Sequence, residues 1–318
     1  MPVRDFVRSA AKHLFALTLA GLLPVFSIAL ADEPISGLGP TGPVKKLQEK
    51  LQFTEGPAYD GKGHLYFSDI PANRIYRVDG ENKMEVFLEP SGHTNGLFFD
   101  GKGRLHACAM DGQIIRIDTA KKDVTVLAKE FEGKRFNAPN DLVIDAAGGI
   151  YFTDPRFRAP EPLPQPEAVY YLSPEGKVTR LDEYKTACNG VILSPDEKTL
   201  YVIPSMQAEM VAYDVTAPGK VGNKRTFCTL KQAEGKSGGG GDGLTVDVHG
   251  NLYITSGLGL QVFSPAGKLL GVIACPEQPA NVAFGGPENK TLMVTARTGL
   301  YAIPMEVAGH VFPAGKAK

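Results

Sequence analysis

The chain has 318 residues and a nearly balanced charge, with 34 Lys and Arg against 35 Asp and Glu. This balance excludes the basic excess that is typical of nucleic-acid-binding proteins, and a hydrophobic fraction of 43% excludes a disordered chain. The 36 glycines and 24 prolines follow no three-residue period, so they indicate many turns rather than a collagen-like helix.

Residues 1–31 have the three parts of a secretory signal peptide. Basic residues precede an uncharged, apolar stretch over residues 14–31, which ends in the small-residue pattern Ala29-Leu30-Ala31. An uncleaved membrane anchor is the alternative, because the stretch is just long enough to span a bilayer. Gly21, Pro24 and the small residues before Asp32 favour cleavage. We therefore expect an exported protein, periplasmic or secreted, with no membrane span in its mature part.

The four cysteines all lie beyond this leader, and their spacing matches no zinc-binding pattern. Export permits disulfide bonds, but the sequence does not assign their pairing, and buried thiols are the alternative. The residues concerned are Cys108, Cys188, Cys228 and Cys275.

The rest of the chain is built from six imperfect repeats that are spaced by roughly 40 to 50 residues. Each repeat reads as a short strand, a turn rich in Asp and Gly, and a second short strand, followed by weaker third and fourth strands. The repeats begin near residues 56, 96, 141, 190, 243 and 281. No long helical period separates them, which disfavours βαβ folds.

This pattern predicts an all-β fold, a six-bladed β-propeller with a central channel, over residues 44–318. Residues 32–43 are interpreted as a linker. Closing the ring requires a strand from the other end of the chain, and residues 44–53 are placed to pair with the last blade near residues 299–313.

A polar residue precedes the innermost strand of every repeat, where it would lie at one rim of the channel. Turns often contain one Asn or Asp, but six repeats with a carboxylate or carboxamide at one position indicate a site. Oxygen donors of this kind suit Ca²⁺, Mg²⁺ or Mn²⁺ rather than a dedicated zinc site. The residues are Glu55, Asn95, Asn140, Asn189, Asp242 and Asn281.

Several motifs resemble the gluconolactonase, senescence-marker-protein (regucalcin) and luciferin-regenerating family of six-bladed propellers. They are residues 53–57 (FTEGP), 134–142 (KRFNAPNDL), 188–190 (CNG) and 241–244 (GDGL), and the resemblance extends over residues 44–306. It implies one divalent cation, Ca²⁺ first and Mg²⁺ or Mn²⁺ as alternatives, with lactone hydrolysis as the activity. The implied ligands are Glu55, Asn140, Asn189 and Asp242.

The resemblance also implies roles for residues beside the ligands. Arg135 and Asn137 are expected to orient the substrate, and His93 and Asn95 would face the same rim, although solvated or structural roles are the alternatives for Arg135 and His93. The water that opens a gluconolactone-like ring to the aldonic acid would be activated by the metal or by Asp242 as general base.

Two other functions fit the same pattern. An organophosphate or aryl-ester hydrolase would use the same site, whereas a propeller that only binds partners would usually lack convergent acidic ligands. Away from the site, Asp69 and Asp154 are predicted to bind backbone groups within the blades. His64, His106 and His249 fall beside outer hairpins and are predicted to lie at the surface.

Overall fold

Short antiparallel strands make up almost all of the regular structure in the computed structural model, which describes residues 34–312. Within that range there is one helical turn, a 3-10 turn at Pro287–Asn289, and no helix is long and apolar enough to cross a membrane. The predicted signal peptide, residues 1–31, lies outside the described residues.

The strands form six four-stranded sheets, which confirms the predicted six blades. The first strand of the chain is β1 (Lys45–Gln48). Blade 1 contains β2 (Thr54–Tyr59), β3 (Leu65–Asp69), β4 (Arg74–Val78) and β5 (Met84–Leu88). Blade 2 contains β6 (Thr94–Phe99), β7 (Leu105–Ala109), β8 (Gln113–Ile117) and β9 (Val124–Ala128).

A small hairpin, β10 (Glu130–Phe131) and β11 (Lys134–Arg135), precedes blade 3. Blade 3 contains β12 (Leu142–Ile144), β13 (Ile150–Asp154), β14 (Ala168–Leu172) and β15 (Val178–Glu183). Blade 4 contains β16 (Cys188–Leu193), β17 (Thr199–Pro204), β18 (Glu209–Ala217) and β19 (Lys220–Thr229). Blade 5 contains β20 (Leu244–Val246), β21 (Leu252–Ser256), β22 (Gly259–Phe263) and β23 (Leu269–Ile273). Blade 6 contains β24 (Asn281–Gly285), β25 (Thr291–Ala296) and β26 (Gly299–Pro304).

The ring is closed by β1, which pairs with β26 as the outermost strand of blade 6. This is the closure that the sequence predicts. The described part of the predicted linker 32–43, residues 34–43, also contacts this blade. The Thr41 amide donates to the Pro304 carbonyl at 2.8 Å, and buried Leu38 accepts a hydrogen bond of 3.0 Å from the Glu306 amide.

Repeated Asp residues hold the inner hairpins of the blades, as their Asp/Gly-rich turns suggest. Asp60 Oδ1 accepts hydrogen bonds from the Lys62 and His64 amides at 2.7 and 2.9 Å. Asp100, Asp145 and Asp247 bind the amides of their own turns in the same manner. Each carboxylate satisfies turn amides that the strand ladder leaves without a partner.

Large apolar side chains fill the spaces between the sheets. The ring of Tyr66 lies 4.9 Å from Phe87 in its own blade and 5.2 Å from Phe99 in the next. Phe152 and Tyr170, both fully buried, stack at 5.4 Å inside blade 3. Because such packing recurs around the ring, the inner strands and the residues they carry are held rigidly.

One surface prediction is wrong. His64 and His249 lie at the surface, but His106 on β7 is buried, with 5% of its surface exposed. Burial lowers the pKa of its imidazole to about 4, because the charged form loses hydration there. The three cysteines Cys108, Cys188 and Cys228 are buried thiols rather than disulfide partners.

Candidate active site

The inner strands bring five of the predicted polar residues to one end of the channel. Glu55, Asn95, Asn140, Asn189 and Asp242 all line a cavity of about 450 Å³ there. Four of them are buried, with 3–5% of their surface exposed, and Asp242 is partly buried. The structure therefore places side chains from five different blades around one space.

The inner strands change register where they carry these side chains. The pairing of β2 with β3 shifts between Glu55 and Ala58, and that of β16 with β17 shifts between Cys188 and Val191. Such bulges turn the chain locally and re-aim a side chain, and they are common beside active sites. Here they direct Glu55 and Asn189 to the cavity.

Glycines after the polar residues let neighbouring blades approach closely. The amides of Gly96, Gly190 and Gly243 donate to backbone carbonyls of the next blade at 2.8, 2.9 and 2.8 Å. A Cβ at Gly243 would lie only 2.1 Å from Asn281 Oδ1. Any larger residue would push the inner strands apart, so these glycines set the diameter of the polar ring.

Two buried aspartates fix the segments that lead into this ring. Asp69 accepts hydrogen bonds of 3.0 Å from the amides of Gln52 and Phe53, just before Glu55. Asp154 accepts bonds of 2.8 Å from the amides of residues 137 and 138, just before Asn140. Both therefore bind backbone groups, as the sequence predicts, and each positions a residue of the ring.

A short hydrogen-bond network orients Asp242. The carboxamide of Asn189 donates to Asp242 Oδ1 at 2.5 Å and to Ser205 Oγ at 2.8 Å. Ser205 in turn donates to the Gly241 carbonyl at 3.1 Å, beside Asp242 in the chain. Asn189 therefore presents its carbonyl oxygen away from the bonds that its amino group makes, and Asp242 keeps one carboxylate oxygen outside this network.

Burial raises the pKa of the acidic groups near the ring, and neighbouring negative charges add to the shift of Glu55. Burial raises the pKa of Glu55 well above its usual range, and the charges of Asp242 and Asp141 raise it further. Burial also raises the pKa of Asp242 to about 6, although the Asn189 hydrogen bond and the Arg297 charge oppose the shift. Like charges held close together away from water favour either protons or a cation between them.

One carboxamide of the ring, that of Asn95, retains an unused oxygen. Asn95 Oδ1 is buried and has no hydrogen-bond partner, while its Nδ2 makes only a long contact of 3.9 Å with the Met110 sulfur. A buried acceptor without a donor is costly, and its presence at a cavity indicates a ligand that satisfies it. Among the described residues no group of three or more His, Cys, Asp or Glu converges, because carboxamides make up the rest of this oxygen set.

Comparison with known proteins agrees with this architecture. Residues 53–298 match the SMP-30/Gluconolactonase/LRE-like region. The chain belongs to this family. It is 28% identical over 294 residues to a gluconolactonase of Zymomonas mobilis subsp. mobilis, which covers 84% of this chain and 82% of that protein.

Solved structures of the family superpose over most of this SMP-30/gluconolactonase-like protein. A gluconolactonase from Xanthomonas campestris gives a TM-score of 0.75 at 31% identity, covering 82% of this chain and 89% of that one. Regucalcin from Agrobacterium tumefaciens strain C58, a calcium-binding protein, gives 0.73 at 20% identity, covering 85% and 96%. The second likeness shows the shared fold.

Three residues expected to contact substrate lie off the cavity in this SMP-30/gluconolactonase-like protein. Arg135 is exposed on β11, and its guanidinium donates to the Asn137 carbonyl at 3.3 Å. Asn137 has no exposed surface, and its Oδ1 accepts a bond of 3.0 Å from the Gln165 amide. His93 Nδ1 lies 3.0 Å from the Asp111 carboxylate. Of the substrate-orienting set, only Asn95 lines the cavity.

The sequence did not predict the residues that form the wall of the cavity. Phe53, Ile70, Met110 and Phe157 supply an apolar side, and Arg158 is a basic residue at the same cavity. Phe157 and Arg158 come from a proline-rich segment with no counterpart in the other repeats, so no pattern singled them out. The nearby Arg297 donates to Gln278 at 3.0 Å and lies over the Phe53 ring.

The opposite end of the channel holds a second cavity of about 540 Å³. Asp141 and Asn281 lie between the two ends: they line this second cavity, and Asn281 also gives a hydrogen bond to Glu55. The second cavity is also bordered by Phe98, Phe284 and Phe312, and none of the other five ring residues lines it. The candidate active site is therefore the first cavity, which five of the six ring residues line.

Proposed function

We propose that the protein is a metal-dependent lactonase that opens a gluconolactone-like sugar lactone to the aldonic acid. One observation carries this proposal: Glu55, Asn140, Asn189 and Asp242, on four blades, converge on one cavity. Membership of the family and the two gluconolactonase relatives support the reaction type.

The residues present fit a hard divalent cation. Glu55 and Asp242 offer carboxylates, and Asn140 makes no side-chain hydrogen bond to the described part of the protein, so its oxygen is available. Burial and the charges of Asp242 and Asp141 raise the pKa of Glu55, and the buried Asn95 oxygen has no donor, so a cation would be favoured among these oxygens. Oxygen ligands of this kind suit Ca²⁺, with Mg²⁺ or Mn²⁺ as alternatives. When bound, such an ion supplies polarisation of the lactone carbonyl.

Side chains of the protein carry out the remaining steps of the reaction. Asp242, held by Asn189, accepts the proton of the attacking water through the carboxylate oxygen that the Asn189 bond leaves open. The acyl C–O bond of the ring then breaks, and the same carboxyl returns the proton to the leaving ring oxygen, which becomes a hydroxyl. Asn95 Oδ1 accepts a hydrogen bond from a ring hydroxyl of the sugar. The bulges and glycines that fix the ring hold these groups in place before substrate binds.

A second candidate function rests on the apolar side of the cavity. Phe53, Ile70, Met110 and Phe157 would accommodate an aryl group, which favours an aryl-ester or organophosphate substrate over a polyhydroxylated one. Rates on phenyl acetate, on paraoxon and on glucono-1,5-lactone separate the two functions. Faster hydrolysis of the aromatic substrates would replace our proposal.

The decisive experiment combines metal analysis with activity. Elemental analysis of the purified protein is expected to find about one divalent ion per chain, and chelation should abolish lactone hydrolysis until the ion is returned. The Asp242→Ala variant should lose activity by at least about a hundredfold, whereas Asp123→Ala, which removes an exposed carboxylate, should retain it. A folded Asp242→Ala protein with the wild-type rate would refute the mechanism. Protein that binds no metal would favour a binding propeller without activity.

We also propose that the protein works outside the cytoplasm after removal of residues 1–31. Its leader has the charge and apolar pattern of an export signal. Fractionation of producing cells, with N-terminal sequencing of the exported chain, tests this: a first residue of Asp32 is expected.

A further inference from the structure

The connection between β13 and β14 sets blade 3 apart. It is thirteen residues long, residues 155–167, whereas the corresponding connections of the other blades have four residues or fewer. Loops of this length in a compact fold usually carry function, because the scaffold does not require them.

This loop is fixed near both of its ends. The Glu167 carboxylate, which is buried, accepts bonds from the Arg156 amide at 2.9 Å and from its Nε at 2.7 Å. The Gln165 amide donates to Asn137 Oδ1 at 3.0 Å. Phe157 packs against Ile70 and Met110, two residues of the cavity wall. The residue that follows Phe157 is therefore placed at the cavity, where its side chain is also exposed to solvent.

That residue is Arg158, and three of its properties are unusual together. It is the one cationic side chain that lines the cavity among the described residues. It makes no ion pair in the part of the chain that the structure describes, although neighbouring Arg156 does. Its φ is +61°, and no other non-glycine residue with positive φ lines the cavity. Left-handed backbone at a long side chain costs stability, and such strain is often kept at functional sites.

The charges of the cavity indicate what Arg158 binds. Glu55 and Asp242 contribute two negative charges and Arg158 one positive charge. The divalent cation of the proposed function would compensate the two carboxylates, which leaves the guanidinium without a counter-charge. A guanidinium presents a planar fork of donors that matches carboxylate and phosphate oxygens.

We propose that Arg158 makes the enzyme selective for lactones that carry an anionic substituent outside the ring, a carboxylate or a phosphate. This inference rests on the proposed lactonase function and names its substrate class. The ring of oxygen donors holds the lactone group, and Arg158, which lines the same cavity, pairs with the anionic substituent.

Kinetics with three lactones test the selectivity. The substrates are neutral D-glucono-1,5-lactone, D-glucaro-1,4-lactone with a free carboxylate, and 6-phospho-D-glucono-1,5-lactone. We expect the wild type to prefer one or both anionic lactones, and Arg158→Asn to lower kcat/KM for the preferred one roughly 10- to 100-fold more than for the neutral one. Asn tolerates positive φ, so this variant removes the charge without adding strain. Arg158→Lys should restore part of the preference.

The control is Lys177→Ala, which removes an exposed charge from the outer turn of the same blade. It should leave the preference unchanged. The preference of the wild type should also weaken with added salt, and that of Arg158→Asn should not. The anionic lactone whose kcat/KM falls most in Arg158→Asn identifies carboxylate or phosphate as the recognised group. An Arg158→Asn variant that slows all three lactones by the same factor would overturn the proposal.

Product binding gives a readout that does not depend on turnover. In calorimetric titrations of the metal-loaded protein, D-glucarate should bind more tightly than D-gluconate, which lacks the second carboxylate, and Arg158→Asn should remove the difference. If no lactone is hydrolysed but this difference is present and lost in the variant, the lactonase function fails while the role of Arg158 stands. Equal binding of the two acids, together with no preference among the lactones, refutes the role of Arg158.

Discussion

The Asp242→Asn variant tests whether the acidic ring is a cation site that destabilises the metal-free protein. The pKa of Asp242 is about 6 in the folded chain against an ordinary value of 3.8. A carboxyl whose pKa is raised by folding binds its proton more tightly in the folded state, so its ionisation destabilises the fold at high pH. The penalty is complete above the folded pKa and disappears as pH falls towards 3.8.

The size of this effect follows from the same values. The difference of about 2 pH units corresponds to about 3 kcal/mol at pH 7.5 and to less than about 1 kcal/mol at pH 4. Asn retains the oxygen that accepts the Asn189 bond. In the presence of a chelator at pH 7.5, Asp242→Asn should therefore melt roughly 5–10 °C above the wild type, and the gain should nearly vanish at pH 4.

Thermal unfolding followed by circular dichroism, with chelator and with added Ca²⁺, measures these shifts. Ca²⁺ should raise the melting temperature of the wild type and leave the variant unchanged, and Asp123→Asn provides the control for loss of an exposed charge. The reasoning is refuted if the metal-free variant is no more stable than the wild type at pH 7.5, or if its gain is equally large at pH 4.

Two further substitutions test the scaffold of the ring. Gly243→Ala should lower the free energy of unfolding by about 1–3 kcal/mol, because its Cβ would meet Asn281, whereas Gly222→Ala, with no atom within 4 Å, should change it little in urea titrations. Asn137→Ala should cost about 1–3 kcal/mol because the buried Gln165 amide loses its acceptor. A raised KM with unchanged stability would show that Asn137 contacts substrate instead.

The six blades and the closing strand were predictable because each repeat encodes the same local structure. Strand, Asp/Gly-rich turn and strand recur with nearly constant spacing, and the Asp and Gly residues mark where the chain reverses direction. Most of the polar ring was predictable for the same reason: residues at one position of a repeat come to one end of the channel, as five of the six predicted residues do. The prediction fails for Asn281, from the most degenerate repeat, which lines the second cavity. Glu55, Asn95 and Asp242 line the cavity although the sequence separates them by up to nearly 190 residues.

The residues around the ring were less predictable because they depend on single contacts between distant segments. The motif that contains Asn137 does not show that its carboxamide binds the amide of Gln165, 28 residues later. Arg158 reaches the cavity through the packing of Phe157 in a segment without repeats. The burial of His106 depends likewise on its place within β7, which the turn beside it does not reveal.

The strand that closes the ring also constrains how the protein folds. β1 pairs with β26 across more than 250 residues of intervening chain, with Lys45 opposite Ala302. Bringing such distant segments together costs about 5 kcal/mol of chain entropy, and contacts of this separation slow folding. Blade 6 is completed only after the last strand has formed, so the earliest strand of the described chain is among the last to find its partner. Until then β26 presents an unpaired strand edge in blade 6, which can associate with another chain.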